Sequence, residues 1–197
     1  MMSMIGDEAA EAVQPRPRLM ALRRAIVSVL ATVLAAAGLL AVSTPAAQAA
    51  TGTYPRRAGV ILVTTDPWYT SLGVGFGLGH AAIVHDSNYV VESLKSGVQW
   101  GYNNWYSARN TVTAVSVSQT TAAQDNTAAV WSARQIGKPY NYNFYDRNTR
   151  AKFYCSQLVW ASFWDNFRID LDTWRWGVAV APTELTQNGK VYQIYKK

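Results

Sequence analysis

Short apolar segments separated by polar residues recur along the chain, and this pattern predicts a β-sheet. Residues 58–65 are an almost wholly apolar run that ends before an Asp-Pro pair, which is typical of a buried strand. Residues 80–85 and 89–94 are two further apolar runs, and the polar residues 86–88 between them predict a turn. The pattern therefore predicts a strand followed by a β-hairpin suited to the centre of a sheet.

The second half of the chain mixes helical and strand patterns. Residues 111–118 and 191–195 predict strands, residues 121–136 predict a helix, and residues 182–185 predict the start of another. After Cys155, side chains recur at the three-and-four spacing of one helix face: Leu158, Val159, Ser162 and Phe163. We therefore expect an amphipathic helix that begins near Cys155, within an α+β fold.

The first 49 residues carry the pattern of a secretory signal peptide. Four arginines precede an uncharged run at residues 25–42, and an A-x-A site follows at residues 47–49. The run is close to the length of a membrane-spanning helix, so a retained anchor is the alternative. Its many alanines and the Ser-Thr-Pro that follows it favour cleavage. We expect residues 1–49 to be removed and residues 50–197 to form one secreted domain, extracellular or cell-wall associated, with no stable membrane span.

The net charge of that domain limits the classes of partner that it is expected to bind. Of the 18 Lys and Arg and 12 Asp and Glu of the whole chain, 14 and 9 lie from Thr51 onward, so this domain has a net charge of about +5. A modest positive charge spread along the chain suits an anionic surface such as a cell wall or lipid headgroups. It contains no basic run dense enough to indicate nucleic-acid binding. No metal-ligand cluster is visible, so we expect neither a metal nor another cofactor.

The single cysteine is the first candidate for chemistry. Cys155 has no partner for an internal disulfide, so it is a buried hydrophobe, a link between chains or a reactive thiol. In the first turn of a helix, the positive end of the helix dipole would stabilise its thiolate and lower its pKa. Position alone leaves the structural and the catalytic interpretations open.

Two polar residues in the predicted hairpin favour the catalytic interpretation. His80 opens the first strand, and Glu92 interrupts an otherwise apolar second strand, where a carboxylate usually has a partner. With the turn at residues 86–88, Glu92 lies opposite Ala82 or Ile83, so His80 is a diagonal neighbour within reach of its carboxylate. One imidazole nitrogen could then be held by Glu92 while the other faces Cys155, as in thiol hydrolases.

The second histidine of the hairpin has a different expected place. His85 lies at odd spacing from His80, so its side chain points to the opposite face of the strand. We therefore expect it at the surface or beside the turn.

Three motifs in this order resemble the circularly permuted branch of the NlpC/P60 papain-like superfamily, the YiiX/YebB-like cysteine hydrolases. They are Gly79-His80-Ala81-Ala82-Ile83-Val84, Gly137-Lys138-Pro139-Tyr140 and Tyr154-Cys155-Ser156-Gln157-Leu158-Val159-Trp160. The histidine strand precedes the cysteine helix, which is the order of the permuted branch. The resemblance implies a permuted papain-like fold, with a central antiparallel sheet packed against the helix that carries the nucleophile.

The resemblance also implies roles for individual residues. Cys155 would be the nucleophile, His80 the general base and then acid, and Glu92 the group that orients the imidazole. The backbone N–H of Cys155 would form part of an oxyanion hole. Tyr140, Tyr142 and Tyr154 are candidate substrate-binding residues, although packing in the core explains such tyrosines equally well.

The family's substrates leave several functions open. Export and positive charge favour hydrolysis of amide bonds in cell-wall peptides. The alternatives are the same chemistry on a lipid ester or amide, as a lipase or acyltransferase, and a catalytically dead module that binds wall or lipid.

Overall fold

The computed structural model describes residues 49–66 and 79–197. The predicted signal peptide falls almost wholly outside the described residues, as does most of the glycine-rich segment before His80. No helix within the described residues is both long enough and apolar enough to cross a membrane.

The described residues form a mixed fold built on a sheet. Its strands are β1 (Thr51–Gly52), β2 (Ile61–Thr64), β3 (His80–Val84), β4 (Tyr89–Leu94), β5 (Gly97–Tyr102), β6 (Thr113–Val117) and β7 (Val191–Lys196). Its helices are α1 (Trp105–Ala108), α2 (Ala122–Ala133), α3 (Cys155–Phe167) and α4 (Glu184–Gln187). The predicted strands, the hairpin and the two longer helices are therefore confirmed; most are shorter than predicted, β4 has the predicted bounds and β7 is one residue longer.

The sheet is antiparallel, with the strand order β1-β7-β6-β2-β3-β4-β5. Strands β2 and β3 lie at its centre, and their residues are buried on both faces. In the hairpin, Ala82 pairs with Glu92 and Ile83 pairs with Val91. The predicted register is thus confirmed, and it places Glu92 two positions along the ladder from His80.

Alternation along the strands gives the sheet two apolar faces. One face contributes Ile61, Ile83 and Val91 to the core that also contains α3 residues such as Leu158 and Val159. The opposite face carries a second cluster, with these buried members: Val60, Leu62, Ala82, Val84, Val90, Trp105, Val112, Ala114 and Tyr195. The sheet is therefore covered on both sides, which explains its nearly continuous apolar strands.

Helix α3 differs from the predicted amphipathic helix. Every residue of its first nine, Cys155 to Phe163, is buried, including those off the predicted apolar face. Two connecting segments cover the side of α3 that does not contact the sheet. Asn141 of the first segment donates a hydrogen bond to the Gln157 side-chain oxygen at 3.0 Å, and Val180 of the second accepts one at its carbonyl from the Ser156 hydroxyl at 2.7 Å. The polar side chains of this side are buried because hydrogen bonds satisfy them.

Candidate active site

The hairpin register brings His80 and Glu92 together. The Nε2 atom of His80 lies 2.7 Å from Oε2 of Glu92, and both residues are buried. Because Ala82 pairs with Glu92, His80 and Glu92 are diagonal neighbours on the same face of the sheet. The predicted contact between the imidazole and the carboxylate is present.

Two glycines make room for this pair. Gly79 has φ +103°, and a Cβ there would lie 2.1 Å from the backbone oxygen of Thr64, so only glycine fits directly before His80. A Cβ on Gly101 would lie 2.5 Å from Oε1 of Glu92. Strand β5 therefore passes so close to the carboxylate that a side chain at Gly101 would displace it.

Cys155 reaches the histidine where two strands separate. The pairing of β3 with β4 ends at Ala82 and Glu92. Beyond that point, the Ser93 hydroxyl donates to the Phe153 carbonyl at 2.6 Å, and the backbone N–H of Ala81 hydrogen-bonds to Cys155. The start of α3 is thus inserted between the diverging strands.

The thiol and the imidazole are joined by a hydrogen bond. His80 and Cys155 are both fully buried, and their side chains are hydrogen-bonded to each other. Because Nε2 of His80 is engaged by Glu92, Nδ1 is the nitrogen left to face the thiol. The structure therefore brings together all three predicted catalytic residues in the order Cys155, His80, Glu92.

The electrostatics of the pair favour the charged forms. Burial by itself raises the pKa of Cys155, but the hydrogen bond and charge of His80, with help from the Ala81 N–H and the Ser156 hydroxyl, lower it overall. Burial lowers the pKa of His80, whereas Cys155 and Glu92 raise it, with a result of about 9. A thiolate beside an imidazolium is the nucleophilic form of a cysteine.

An aromatic ring that no sequence pattern predicted covers the histidine. The Trp105 ring stacks on the His80 ring at a centroid distance of 5.6 Å and an interplanar angle of 28°. The Arg109 guanidinium lies 5.3 Å from the centre of the Trp105 ring. Because Trp105 belongs to α1, which follows β5, its contact with His80 depends on tertiary structure. Trp105 is buried, so this ring separates the imidazole from solvent.

The three predicted substrate-binding tyrosines lie in different environments. Tyr140 and Tyr154 are buried, and Tyr142 is exposed and packs edge-on against Tyr140. The Tyr154 hydroxyl accepts a hydrogen bond from the Val180 N–H at 3.1 Å, and burial raises the pKa of this phenol. Contact of these tyrosines with a substrate stays a prediction.

His85 lies beside the turn, as expected. Its Nδ1 atom lies 3.0 Å from Oδ2 of Asp86, and its ring meets Trp100 edge-on. The hairpin therefore carries two histidine–carboxylate pairs, of which the pair of His80 and Glu92 is buried beside the thiol.

Comparison with known proteins places this geometry in context. Residues 56–176 match the model of a family described as permuted papain-like amidase enzymes, the YaeF/YiiX or C92 family. The uncharacterized protein YycO of Bacillus subtilis (strain 168) is 36% identical over 119 residues. That alignment covers 56% of this chain and 46% of YycO, so this chain spans less than half of its relative's length.

A solved structure has a similar fold. It is the crystal structure of metalloprotein yiiX from Escherichia coli O157:H7, which superposes with a TM-score of 0.56 at 15% sequence identity. The superposition covers 72% of this chain and 98% of the E. coli chain.

Proposed function

Because the chain belongs to the C92 family of permuted papain-like amidases, we propose that it is an exported cysteine amidase whose catalytic residues are Cys155, His80 and Glu92. This family is related to the NlpC/P60 family that the motifs resemble but is distinct from it. The observation that carries the proposal is the buried, hydrogen-bonded series from the thiol through the imidazole to the carboxylate.

In the first half of the reaction, the Cys155 thiolate attacks the carbonyl carbon of an amide. A C–S bond forms, and the carbonyl electrons move to oxygen as an oxyanion. The backbone N–H of Cys155, at the start of α3, stabilises that charge. When the C–N bond breaks, the His80 imidazolium gives its proton to the leaving nitrogen, and an acyl-enzyme thioester remains.

In the second half, water releases the acyl group. Neutral His80 takes a proton from the water, whose oxygen attacks the thioester carbon, and the C–S bond breaks. The products are a carboxylic acid, which releases its proton to solvent, and the restored thiolate–imidazolium pair. Glu92 holds the imidazole in one orientation and stabilises its positive charge through both halves.

No step of this mechanism uses a metal ion. The E. coli protein is named a metalloprotein. In residues 49–66 and 79–197 of this chain, however, no group of three or more His, Cys, Asp or Glu side chains is arranged to hold a metal. Glu92 and Cys155 contact opposite nitrogens of the same imidazole, so these three side chains do not converge on one point.

The substrate class we favour is a peptide of the cell wall. The signal-peptide pattern at residues 1–49 indicates export, and the net positive charge of residues 50–197 suits the anionic wall. The second candidate is a lipid ester or amide. It is favoured by the exposed Trp174 and Trp176, which lie a few residues before Val180, the residue that hydrogen-bonds to Tyr154 and Ser156 on either side of Cys155.

The experiment that tests the proposal offers both substrates to the purified protein. We expect muropeptides to be cleaved with the appearance of a new amine and carboxylate, and a mass increase on Cys155 to mark the acyl-enzyme. Cys155→Ala removes both signals, whereas His85→Ala, at the partly buried histidine–carboxylate pair beside the turn, keeps them. Cleavage of the lipid alone would identify the protein as an enzyme acting on lipid esters or amides. No turnover of either substrate would indicate a binding module.

A further inference from the structure

A short loop after α3 exposes large apolar side chains. Residues 173–178, here called the tryptophan loop, have the sequence Thr-Trp-Arg-Trp-Gly-Val, and all six are exposed. Trp174 is 54% exposed, Trp176 is 45% exposed and Val178 is 40% exposed. Neighbouring apolar side chains of this size are usually buried, so their joint exposure indicates an interaction surface.

A buried carboxylate holds the base of the loop. Glu184 is almost fully buried, and its Oε1 atom accepts hydrogen bonds from the Thr173 hydroxyl and from the Arg175 N–H, the latter at 3.0 Å. Its Oε2 atom accepts a hydrogen bond from the Ala181 N–H at 2.7 Å. One carboxylate thus holds the first half of the loop and the segment that follows it, at Ala181.

The backbone of the loop is held in an uncommon conformation. Trp174 has φ 63°, in the left-handed region that a bulky residue rarely occupies. Its N–H donates to Oδ1 of Asp172 at 3.0 Å, and the Arg147 guanidinium lies 4.2 Å from the centre of its ring. Such a conformation persists only where the surroundings impose it, so the exposure of Trp174 is built into the fold.

The segment that directly follows the loop is connected to the candidate active site. The Val180 N–H donates to the Tyr154 hydroxyl at 3.1 Å, and the Val180 carbonyl accepts from the Ser156 hydroxyl at 2.7 Å. Tyr154 and Ser156 are the two sequence neighbours of Cys155. The backbone that follows the loop is therefore anchored at the start of α3 through Val180.

From these contacts we propose that the tryptophan loop docks on the surface of an anionic lipid bilayer. Tryptophan side chains favour the interface between the hydrocarbon and the headgroups, where the ring is apolar and its N–H stays hydrated. Arg175 lies between the two tryptophans and complements the charge of lipid phosphates, as does the net positive charge of residues 50–197. Val178 has no polar side-chain atom and suits hydrocarbon.

The composition of the loop favours lipid over a saccharide. A sugar requires hydrogen-bonding side chains around the rings, but the Thr173 hydroxyl is already engaged by Glu184. Arg175 is then the charged side chain that the loop exposes to a ligand. This proposal does not rest on the hydrolase activity, because a chain with an inactive Cys155 would dock in the same way.

The test is fluorescence quenching of the full-length chain by brominated lipids. The first tryptophan in the sequence is Trp68, so the apolar segment at residues 25–42 contributes no tryptophan signal. Vesicles of phosphatidylcholine and phosphatidylglycerol with brominated acyl chains should quench the wild-type emission. The double variant Trp174→Ala/Trp176→Ala should lose most of that quenching. Arg175→Ala should need about fivefold more lipid for half-maximal quenching.

Trp100→Ala is the matched control. Trp100 is 46% exposed and lines a different surface cavity, together with His85, Asp86 and Tyr89, so its removal should leave the lipid quenching in place. Near-UV circular dichroism checks that each variant is folded. If the double variant is not folded, Trp176→Ala alone leaves the contact between Arg147 and Trp174 intact and serves in its place.

Three outcomes would overturn the proposal. They are no quenching of the wild type, equal quenching of the tryptophan-loop variants, and quenching that is lost with Trp100→Ala instead. If lipid does not quench the wild type, and the wild type self-associates whereas the double variant does not, the loop binds a second copy of the chain instead.

Discussion

His80 and Glu92 are separated by twelve residues in the sequence, yet Nε2 of the imidazole lies 2.7 Å from Oε2 of the carboxylate. The register of the β3–β4 hairpin creates this contact, since Ala82 pairs with Glu92 and leaves His80 as the diagonal neighbour. Together with Cys155, this carboxylate raises the pKa of His80 to about 9 against the opposing effect of burial. The contact therefore controls the pH range in which the imidazolium exists.

The first prediction concerns Glu92→Gln. The imidazolium must give a proton to the leaving nitrogen, so kcat/KM of the wild type should fall as the pH rises through about 9. Glutamine keeps the shape of the side chain but not its charge, so the pKa of His80 should decrease and this limb of the profile should move to lower pH. We also expect kcat/KM at its optimum to fall by about a hundredfold.

The control for this variant is Asp86→Asn, which neutralises the carboxylate beside His85. Its pH profile should match that of the wild type. A high-pH limb that stays in place in Glu92→Gln would show that Glu92 does not hold the charge of His80.

The second prediction concerns Gly101→Ala, which adds one methyl group beside the carboxylate. Its Cβ would lie 2.5 Å from Oε1 and 2.9 Å from Cδ of Glu92, so the carboxylate must move. We expect kcat/KM to fall by about 10- to 100-fold, because small displacements of a positioning group are costly. The accompanying loss of unfolding free energy should be about 1–3 kcal/mol.

Gly189→Ala is the matched control for Gly101→Ala, since a Cβ there meets no atom within 4 Å and neither glycine has a positive φ. The pH profile separates positioning from general destabilisation, because only a displaced Glu92 moves the limb near pH 9. If Gly101→Ala has normal activity and the fall in kcat/KM near pH 9 does not shift, Gly101 is not needed to position Glu92.

The third prediction concerns Glu184→Gln at the base of the tryptophan loop. The carboxylate accepts hydrogen bonds at both oxygens, and an amide nitrogen cannot accept the bond from the Ala181 N–H. Leaving a buried donor unpaired should lower the free energy of unfolding by about 1–3 kcal/mol, measured by urea denaturation. Gln187→Ala, at an exposed position of the same helix, should change it by less than about 0.5 kcal/mol. Equal stability of Glu184→Gln and the wild type would contradict a fixed loop base.

Local patterns were enough to predict the hairpin and the position of the thiol. The apolar runs and the polar turn determine which residues of β3 and β4 face each other, so the contact between His80 and Glu92 follows from a short segment. The start of α3 at Cys155 follows from the spacing of Leu158 and Val159. Both signals lie within a few residues of the feature that they predict.

Other parts of the site depend on contacts between distant segments. The stacking of Trp105 on His80 and the close approach of Gly101 to Glu92 arise only when β5 and α1 return to the hairpin. The burial of α3 on all sides requires the segments that carry Asn141 and Val180. No hydrophobic periodicity in the sequence predicts these contacts.

The most direct test of the central claim is the rate of Cys155 alkylation as a function of pH, in the wild type, His80→Ala and His85→Ala. We predict an inflection well below ~8.5, the ordinary pKa of a free thiol, in the wild type and in His85→Ala. In His80→Ala, the inflection should rise or disappear. A thiol whose reactivity is the same in all three proteins would contradict a catalytic pair of Cys155 and His80.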